Sequence, residues 1–342
     1  MTWIAGTQTG CYYGQLAAGQ WRLLWHREPI EQLLDAPDTP EELRRRLALV
    51  EAVRIYGREI GLDVGRQYTS YVPWPGDRVI TTLVATRPGE VDAAGFTFPV
   101  LGRLPYKGYF DRAAAEREAR ELRRDGLDVC VSPVRAYSTL GWFADPLTEP
   151  MLLGGDLQLV ETILHELVHS TIYVAGDADF NESVANFIGK EATARFLEDA
   201  GLLGDPRTPS ELARLQRERT ARGLALANRL ISLRASVSLL YAREPASPVR
   251  DRDRAELVAA AREDLATLAP PGISPEQFAR RFDLGDACLA LRATYGDDLE
   301  QHRARFDALD GDLGRFIERL IAAAREPDPR SAFFTPTPST PR

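Results

Sequence analysis

His165-Glu166-Leu167-Val168-His169 sets two imidazoles four residues apart with a carboxylate beside the first. In a helix, positions i and i+4 lie on one face, one turn apart. Two rings so placed can reach a single zinc ion at about 2.0–2.1 Å. The Glu166 carboxylate can then hold a water and act as its base. The whole sequence carries only four histidines, His26, His165, His169 and His302, so a paired set is not an expected accident. The alternative is a pair of core histidines bonded to backbone or carboxylate groups. Burying two imidazoles and a glutamate on an otherwise apolar helix is costly without partners, and a metal ion supplies them.

A catalytic zinc needs a third protein ligand and an open position. The third-histidine extension of the metzincins is absent, because Ala175 stands six residues after His169 and Ile172 occupies the place of the turn glycine. His302 falls in an acidic, solvent-like helix and reads as a surface residue. His26, in Trp25-His26-Arg27-Glu28, reads as structural. Carboxylates remain. Glu182 opens the next helix in Asn181-Glu182-Ser183-Val184-Ala185-Asn186, and a helix–loop–helix hairpin would bring that first turn back over the histidine face. Ala185, Asn186 and Gly189 share the Glu182 face and are small or polar, as a close backbone approach requires. Glu191, nine residues on at about 100° per residue, falls on the opposite face. The loop offers Asp177 and Asp179 as alternatives.

The elements that must position these groups follow from periodicity. Leu157–Tyr173 has the apolar spacing of a buried helix, with Leu159, Val160, Ile163, Leu164, Leu167 and Val168, and Asn181–Leu202 is its partner. Upstream, Gln15–Trp25 and Asp38–Ile60 read as helices. Gln67–Val72, Arg78–Ala85, Phe96–Leu101 and Asp128–Val134 read as strands around a helix at Asp111–Arg124. Downstream, Pro209–Tyr241 is one long amphipathic pattern, followed by shorter helices at about 252–267, 275–293 and 312–325. Arg214–Arg222 reads as a solvated face, with Glu211 and Glu218 interspersed. The tail after Arg325 carries five prolines and reads as disordered.

The chain has 342 residues, 44% hydrophobic and 27% charged, which is ordinary globular composition and enough length for about two domains. With 50 acidic against 42 basic residues the net charge is −8, which argues against a nucleic-acid surface. No stretch approaches the roughly 18 uninterrupted apolar residues of a membrane span. Cys11, Cys130 and Cys288 lie far apart without CxxC spacing and imply neither a disulfide framework nor a cysteine zinc site.

His165–His169 followed by a short loop and Asn181-Glu182-Ser183-Val184-Ala185 resembles the gluzincin arrangement of zinc metallopeptidases, where a helix-borne Asn-Glu-x-x-Ala supplies the third ligand. More closely, the chain resembles the bacterial family of predicted aminopeptidases. The matching segments are Gly10-Cys11-Tyr12-Tyr13-Gly14-Gln15, Phe98-Pro99-Val100 with Tyr106-Lys107-Gly108-Tyr109-Phe110, Ala136–Phe143 with Asp145-Pro146-Leu147, and His165 through Phe187. The resemblance covers most of residues 10–300. The expected fold is α+β, mainly α: a zincin-like core with a small sheet and the HExxH helix, and a C-terminal helical subdomain. The expected layout is a helical segment at 1–62, a catalytic region at 63–203, helices at 204–326 and a disordered tail at 327–342.

The resemblance implies one Zn2+ held by His165, His169 and Glu182, with Glu166 as general base in peptide-bond hydrolysis. In such peptidases the metal lowers the pKa of water from about 15.7 to near 7. Glu166 would take the proton and pass it to the leaving amine. Tyr106, Tyr109, Tyr137 and Tyr241 are candidates for the donor to the developing oxyanion, and each also reads as a core or rim aromatic. Tyr137–Phe143 is either an edge strand for an extended substrate or an ordinary half-buried strand. Asp145 and Glu149 are candidates to hold a substrate amino group. The implied partner is a peptide, and the implied membrane contact is a lipid on Cys11, after a Gly-Cys that ends a lipoprotein signal. Either the start of translation lies upstream and the chain is an envelope lipoprotein, or Cys11 is a plain residue of a cytoplasmic protein. The competing function is an inactive zinc-binding or helical scaffolding protein of the envelope.

Overall fold

The computed structural model describes residues 9–98, 102–136, 144–293 and 299–335. In chain order its elements are α1 (Thr9–Trp25), β1 (Glu28–Pro29), α2 (Ile30–Asp35), α3 (Glu41–Glu59), β2 (Ser70–Val72), β3 (Ile80–Thr86), β4 (Phe96–Phe98), β5 (Gly102–Leu104), β6 (Lys107–Tyr109), α4 (Arg112–Arg124), β7 (Asp128–Val134), β8 (Leu147–Thr148), α5 (Glu149–Leu152), α6 (Asp156–Thr171), α7 (Ala178–Ala200), α8 (Pro209–Arg243), α9 (Pro248–Ala266), α10 (Pro275–Arg280), α11 (Asp286–Ala293), α12 (Leu299–Asp307), α13 (Leu313–Ala323) and α14 (Pro329–Phe334). The fold is α+β and mainly helical, as expected. Two compact units emerge. One comprises Met1–Arg27, Pro73–Tyr137 and Arg222–Ala293, the other Glu28–Val72, Ser138–Ala221 and Thr294–Arg342.

The first unit is organised by an antiparallel sheet in the order β6-β3-β7. Successive side chains of a strand point to opposite faces, and both faces of β3 are covered. Leu83 and Ala85 pack with Ala115, Ala119 and Leu122 of α4, and with Tyr12, Phe98 and Tyr109. Val84, on the other face, packs with Cys130, Ala287 and Cys288. This double cover is why every residue of β3 is buried, its three threonines included, rather than alternate ones. Asp111 caps α4 by accepting the Ala113 N–H at 2.9 Å. Cys130 and Cys288 form a disulfide that ties β7 to α11, which corrects the expectation of unpaired cysteines. Their 158-residue separation holds no spacing signal, and only the packing of α11 on the sheet brings their Cα atoms to 4.9 Å. In α8, one 18-residue window is apolar enough by composition to cross a membrane, with mean hydropathy 1.2. Its Leu230, Leu233 and Val237 are buried with Leu265 and Leu289.

The second unit is built around α6. Leu159, Val160, Ile163, Leu164, Leu167 and Val168 are all buried on it, and α3 and α7 pack against it. At the α3 contact the chain uses Gly57, where an added Cβ would lie 3.0 Å from Leu167 Cδ1. Arg45 of α3 donates to Asp156 in the first turn of α6 at 2.6 Å, which places a carboxylate at the positive end of the helix dipole. A small sheet in the order β1-β2-β8 completes the unit, with β2 and β8 parallel.

Two expectations are corrected here. The stretch after Arg325 is not wholly irregular: Asp328 caps α14, and Phe333 is fully buried. His302 is likewise buried, with 0% exposure, among the rings of Phe180, Phe187, Phe316, Phe333 and Phe334. The residues around it in sequence are polar, and the aromatic shell arrives from α7, α13 and α14. Burial, aided by the nearby Arg330 charge, pushes the His302 pKa down to about 3. An unfolded histidine titrates near 6.5. Above that pH both states are neutral and the group has no effect. As the pH falls from about 6.5 to 3 only the unfolded chain takes the proton, so stability drops by up to about 1.4 kcal/mol per pH unit. Urea midpoints measured between pH 7 and 4 should therefore fall less steeply for His302→Phe than for the parent. Equal slopes would contradict this origin.

Candidate metal centre

The hairpin between α6 and α7 is fixed by its own polar groups. Ile172 leaves the helix in an extended conformation. Thr171 Oγ1 donates to the Leu167 carbonyl at 2.6 Å and accepts the Asp63 N–H at 2.9 Å. Asp177 caps α7 through the Phe180 N–H at 3.1 Å and pairs with Arg330. The Asn181 side chain clamps Val174 twice, accepting its N–H and donating to its carbonyl, both at 2.8 Å. This side-chain closure satisfies backbone groups that the turn leaves unpaired. It also fixes where the next residue, Glu182, begins its turn.

The two helices then run close together at Gly189. A Cβ there would meet His165 Cβ at 3.2 Å, and the Glu161 carbonyl and His165 Cα at 3.3 Å. Two of those atoms are backbone and cannot rotate away. Gly189→Ala is expected to cost about 1–3 kcal/mol in thermal unfolding and to displace His165 from the cluster. An unchanged melting temperature would contradict this contact. Behind it, Glu161, one turn before His165, accepts Gln216 Nε2 at 2.7 Å and pairs with Lys190 Nζ at 3.5 Å. Lys190 also donates to Asn186 Oδ1 at 3.2 Å, so α6, α7 and the start of α8 are cross-tied beside the cluster.

His165, His169 and Glu182 form a group able to hold a metal ion, their ligand atoms all within 4.8 Å of one another. The two Nε2 atoms are 3.2 Å apart. Glu182 sets Oε2 at 3.6 Å from His165 Nε2 and Oε1 at 3.5 Å from His169 Nε2. Ligands at about 2.0–2.1 Å from one tetrahedral ion stand roughly 3.3–3.4 Å from each other. The three observed separations lie close to that spacing, and the donor set of two imidazoles and a carboxylate suits zinc. Burial opposes ionisation of Glu182, yet hydrogen bonds from both rings hold its carboxyl well below the usual range. Burial likewise opposes protonation of His169, and the hydrogen bond to Glu182 with the charges of Glu166 and Glu182 raises it. His169 is 6% exposed, His165 and Glu182 more so. The group is thus open on one side.

The other candidates sort as follows. Asp177 is occupied as a cap, Asp179 is exposed in the first turn of α7, and Glu191 pairs with Arg303. Tyr109, in the first unit, bonds Glu118 beside Lys107, and Tyr106 is exposed there. The Tyr241 hydroxyl donates to Asp286 at 2.8 Å and accepts from Arg254 at 2.9 Å. Tyr137 and the stretch 137–143 lie outside the described residues. Asp145 is buried in the second unit, where its N–H donates to Gln67 Oε1 at 2.7 Å, and Glu149 is exposed at the start of α5. Tyr68, which no sequence pattern marks, has a phenol close enough to Glu166 and Asp145 to feel both charges. No curated protein and no solved structure matches the chain. A family model described as "Putative aminopeptidase" matches residues 11–332, and the chain belongs to that family.

Proposed function

We propose that the chain is a zinc-dependent peptidase of the aminopeptidase type, built on a gluzincin-like zincin core. His165, His169 and Glu182 hold one Zn2+, and Glu166 is the general base. The observation that carries the reading is that the two imidazole Nε2 atoms lie 3.2 Å apart and each has one Glu182 carboxylate oxygen beside it, at 3.6 and 3.5 Å, on a helix pair whose Gly189 and Asn181 serve to keep it. A zinc ion there supplies a Lewis acid and lowers the pKa of water to near 7. Glu166, adjacent to His165, accepts the proton of the attacking water and delivers it to the leaving nitrogen. Glu182, drawn to both rings, keeps the imidazoles turned to one point. Asp145, whose charge acts on Tyr68 together with that of Glu166, is assigned to the substrate's ammonium group.

A peptide is the partner assigned, and a net charge of −8 speaks against nucleic acid. The Cys130–Cys288 bond suits an oxidising compartment, so we place the chain in the cell envelope. The test pairs zinc quantification on purified protein with digestion of a peptide library read by mass spectrometry. Stoichiometric zinc with cleavage one residue from the amino terminus is expected. Bound zinc without any cleavage would favour the scaffolding alternative.

A further inference from the structure

Glu182 stands on α7 between two polar residues that are themselves buried, Asn181 and Ser183. Asn181 is tied back to Val174 in the turn before it. Ser183 is tied the other way, out of the hairpin. Its Oγ donates to the Phe180 carbonyl at 3.1 Å and lies 3.0 Å from His302 Nε2 on α12. A hydroxyl has one hydrogen, and the Phe180 carbonyl takes it. At the second contact the imidazole is therefore the donor and Ser183 the acceptor.

The same ring keeps its other nitrogen, Nδ1, buried without a hydrogen-bond partner among the described residues. A phenylalanine would complete the aromatic shell around position 302 and leave no polar atom unpaired. What the imidazole adds over a phenyl ring is the single N–H···O bond to the residue after Glu182. Phe180 and Phe187, three residues before Ser183 and four after it, share its helical face and pack on the same imidazole, with ring centroids at 6.0 and 5.7 Å. One face of the first turns of α7 thus rests on His302. Glu182, about 100° round the helix, is presented to His165 and His169. Rotation of α7 about its axis would swing that carboxylate away from both rings. The Asn181 clamp fixes where the helix begins, and the bond at Ser183 fixes how it is turned.

We infer that His302 is a positioning residue for Glu182, acting through Ser183 to set the rotation of the helix that carries the third metal ligand. This rests on the metal centre of the proposed function. Competition titrations of the full chain with a zinc chelator read it. His302→Phe and Ser183→Ala each remove the bond, and each should lower zinc affinity about 10- to 100-fold, the loss typical when a group that orients a ligand is removed. The melting temperature of the metal-free protein should separate from this. Ser183→Ala orphans the buried imidazole N–H and melts lower than the parent. Adding His302→Phe removes that orphan, so the double variant should melt near the parent and still bind zinc as weakly as either single one. On a Glu182→Ala background, His302→Phe should cause no further loss, because its effect runs through that carboxylate. Single variants within about twofold of the parental affinity overturn the inference. So does an affinity that recovers in the double variant along with its melting temperature, which would show that the bond serves only the fold. A further loss on the Glu182→Ala background overturns it as well. If the parent binds no zinc, the metal centre and this inference fall together. If Glu182→Ala loses zinc and His302→Phe keeps it, only this inference falls.

Discussion

Glu166→Gln should lower kcat about 10²–10⁴-fold on every peptide the parent cleaves, with zinc content and melting temperature unchanged. The amide keeps the shape of the carboxylate and loses only the capacity to take a proton. Glu166 lies one residue from His165 on α6 and is not among the three atoms that converge, so the ligand set survives the change. The residual rate reflects what the metal and substrate binding supply without a base. A KM close to the parent's is expected, because proton transfer belongs to the transition state. Steady-state kinetics beside metal analysis checks both halves. A variant that cleaves as fast as the parent removes Glu166 from its role, and a variant that loses zinc makes it a ligand instead.

His169→Ala and Glu182→Ala should each abolish turnover and reduce zinc affinity by more than the roughly 10- to 100-fold typical of changes outside the ligand set. His169 is the most buried of the three, so its loss also opens a void that water or a buffer ligand fills poorly. Removing Glu182 leaves two imidazoles 3.2 Å apart without the anion that draws them together. Asp179→Ala is the control, because that carboxylate is exposed and one helical turn removed from the converging atoms. Competition titrations with a zinc chelator give the affinities. If Asp179→Ala loses zinc and Glu182→Ala keeps it, the third ligand has been misassigned.

The convergence of His165, His169 and Glu182 was legible because its information is local. An i, i+4 pair on an apolar helix needs only the helix to converge, and α6 occupies Asp156–Thr171 against an expected Leu157–Tyr173. Glu182 was legible because a short hairpin leaves few places for the next helix to start, and Gly189 marked where two backbones meet. The strand at Asp128–Val134 was readable in full, since it follows Asp125-Gly126 at the end of a charged helix. What escaped depends on residues distant in sequence. The aromatic shell that buries His302 comes from residues 180, 187, 316, 333 and 334. Tyr68 takes a left-handed φ of +56° between the bonds that Arg54 and Asp145 make to Gln67 and Tyr68, and the sequence Gln67-Tyr68-Thr69 contains no glycine to announce it.

X-ray absorption at the zinc edge of the metal-loaded parent protein tests the central claim most directly, since it reads the atoms around the ion whatever the substrate. The account predicts a shell of nitrogen and oxygen at about 2.0–2.1 Å with the outer scattering of two imidazoles, falling to one imidazole in His169→Ala. A shell of oxygen alone, or a sulfur neighbour at about 2.3 Å, would contradict it.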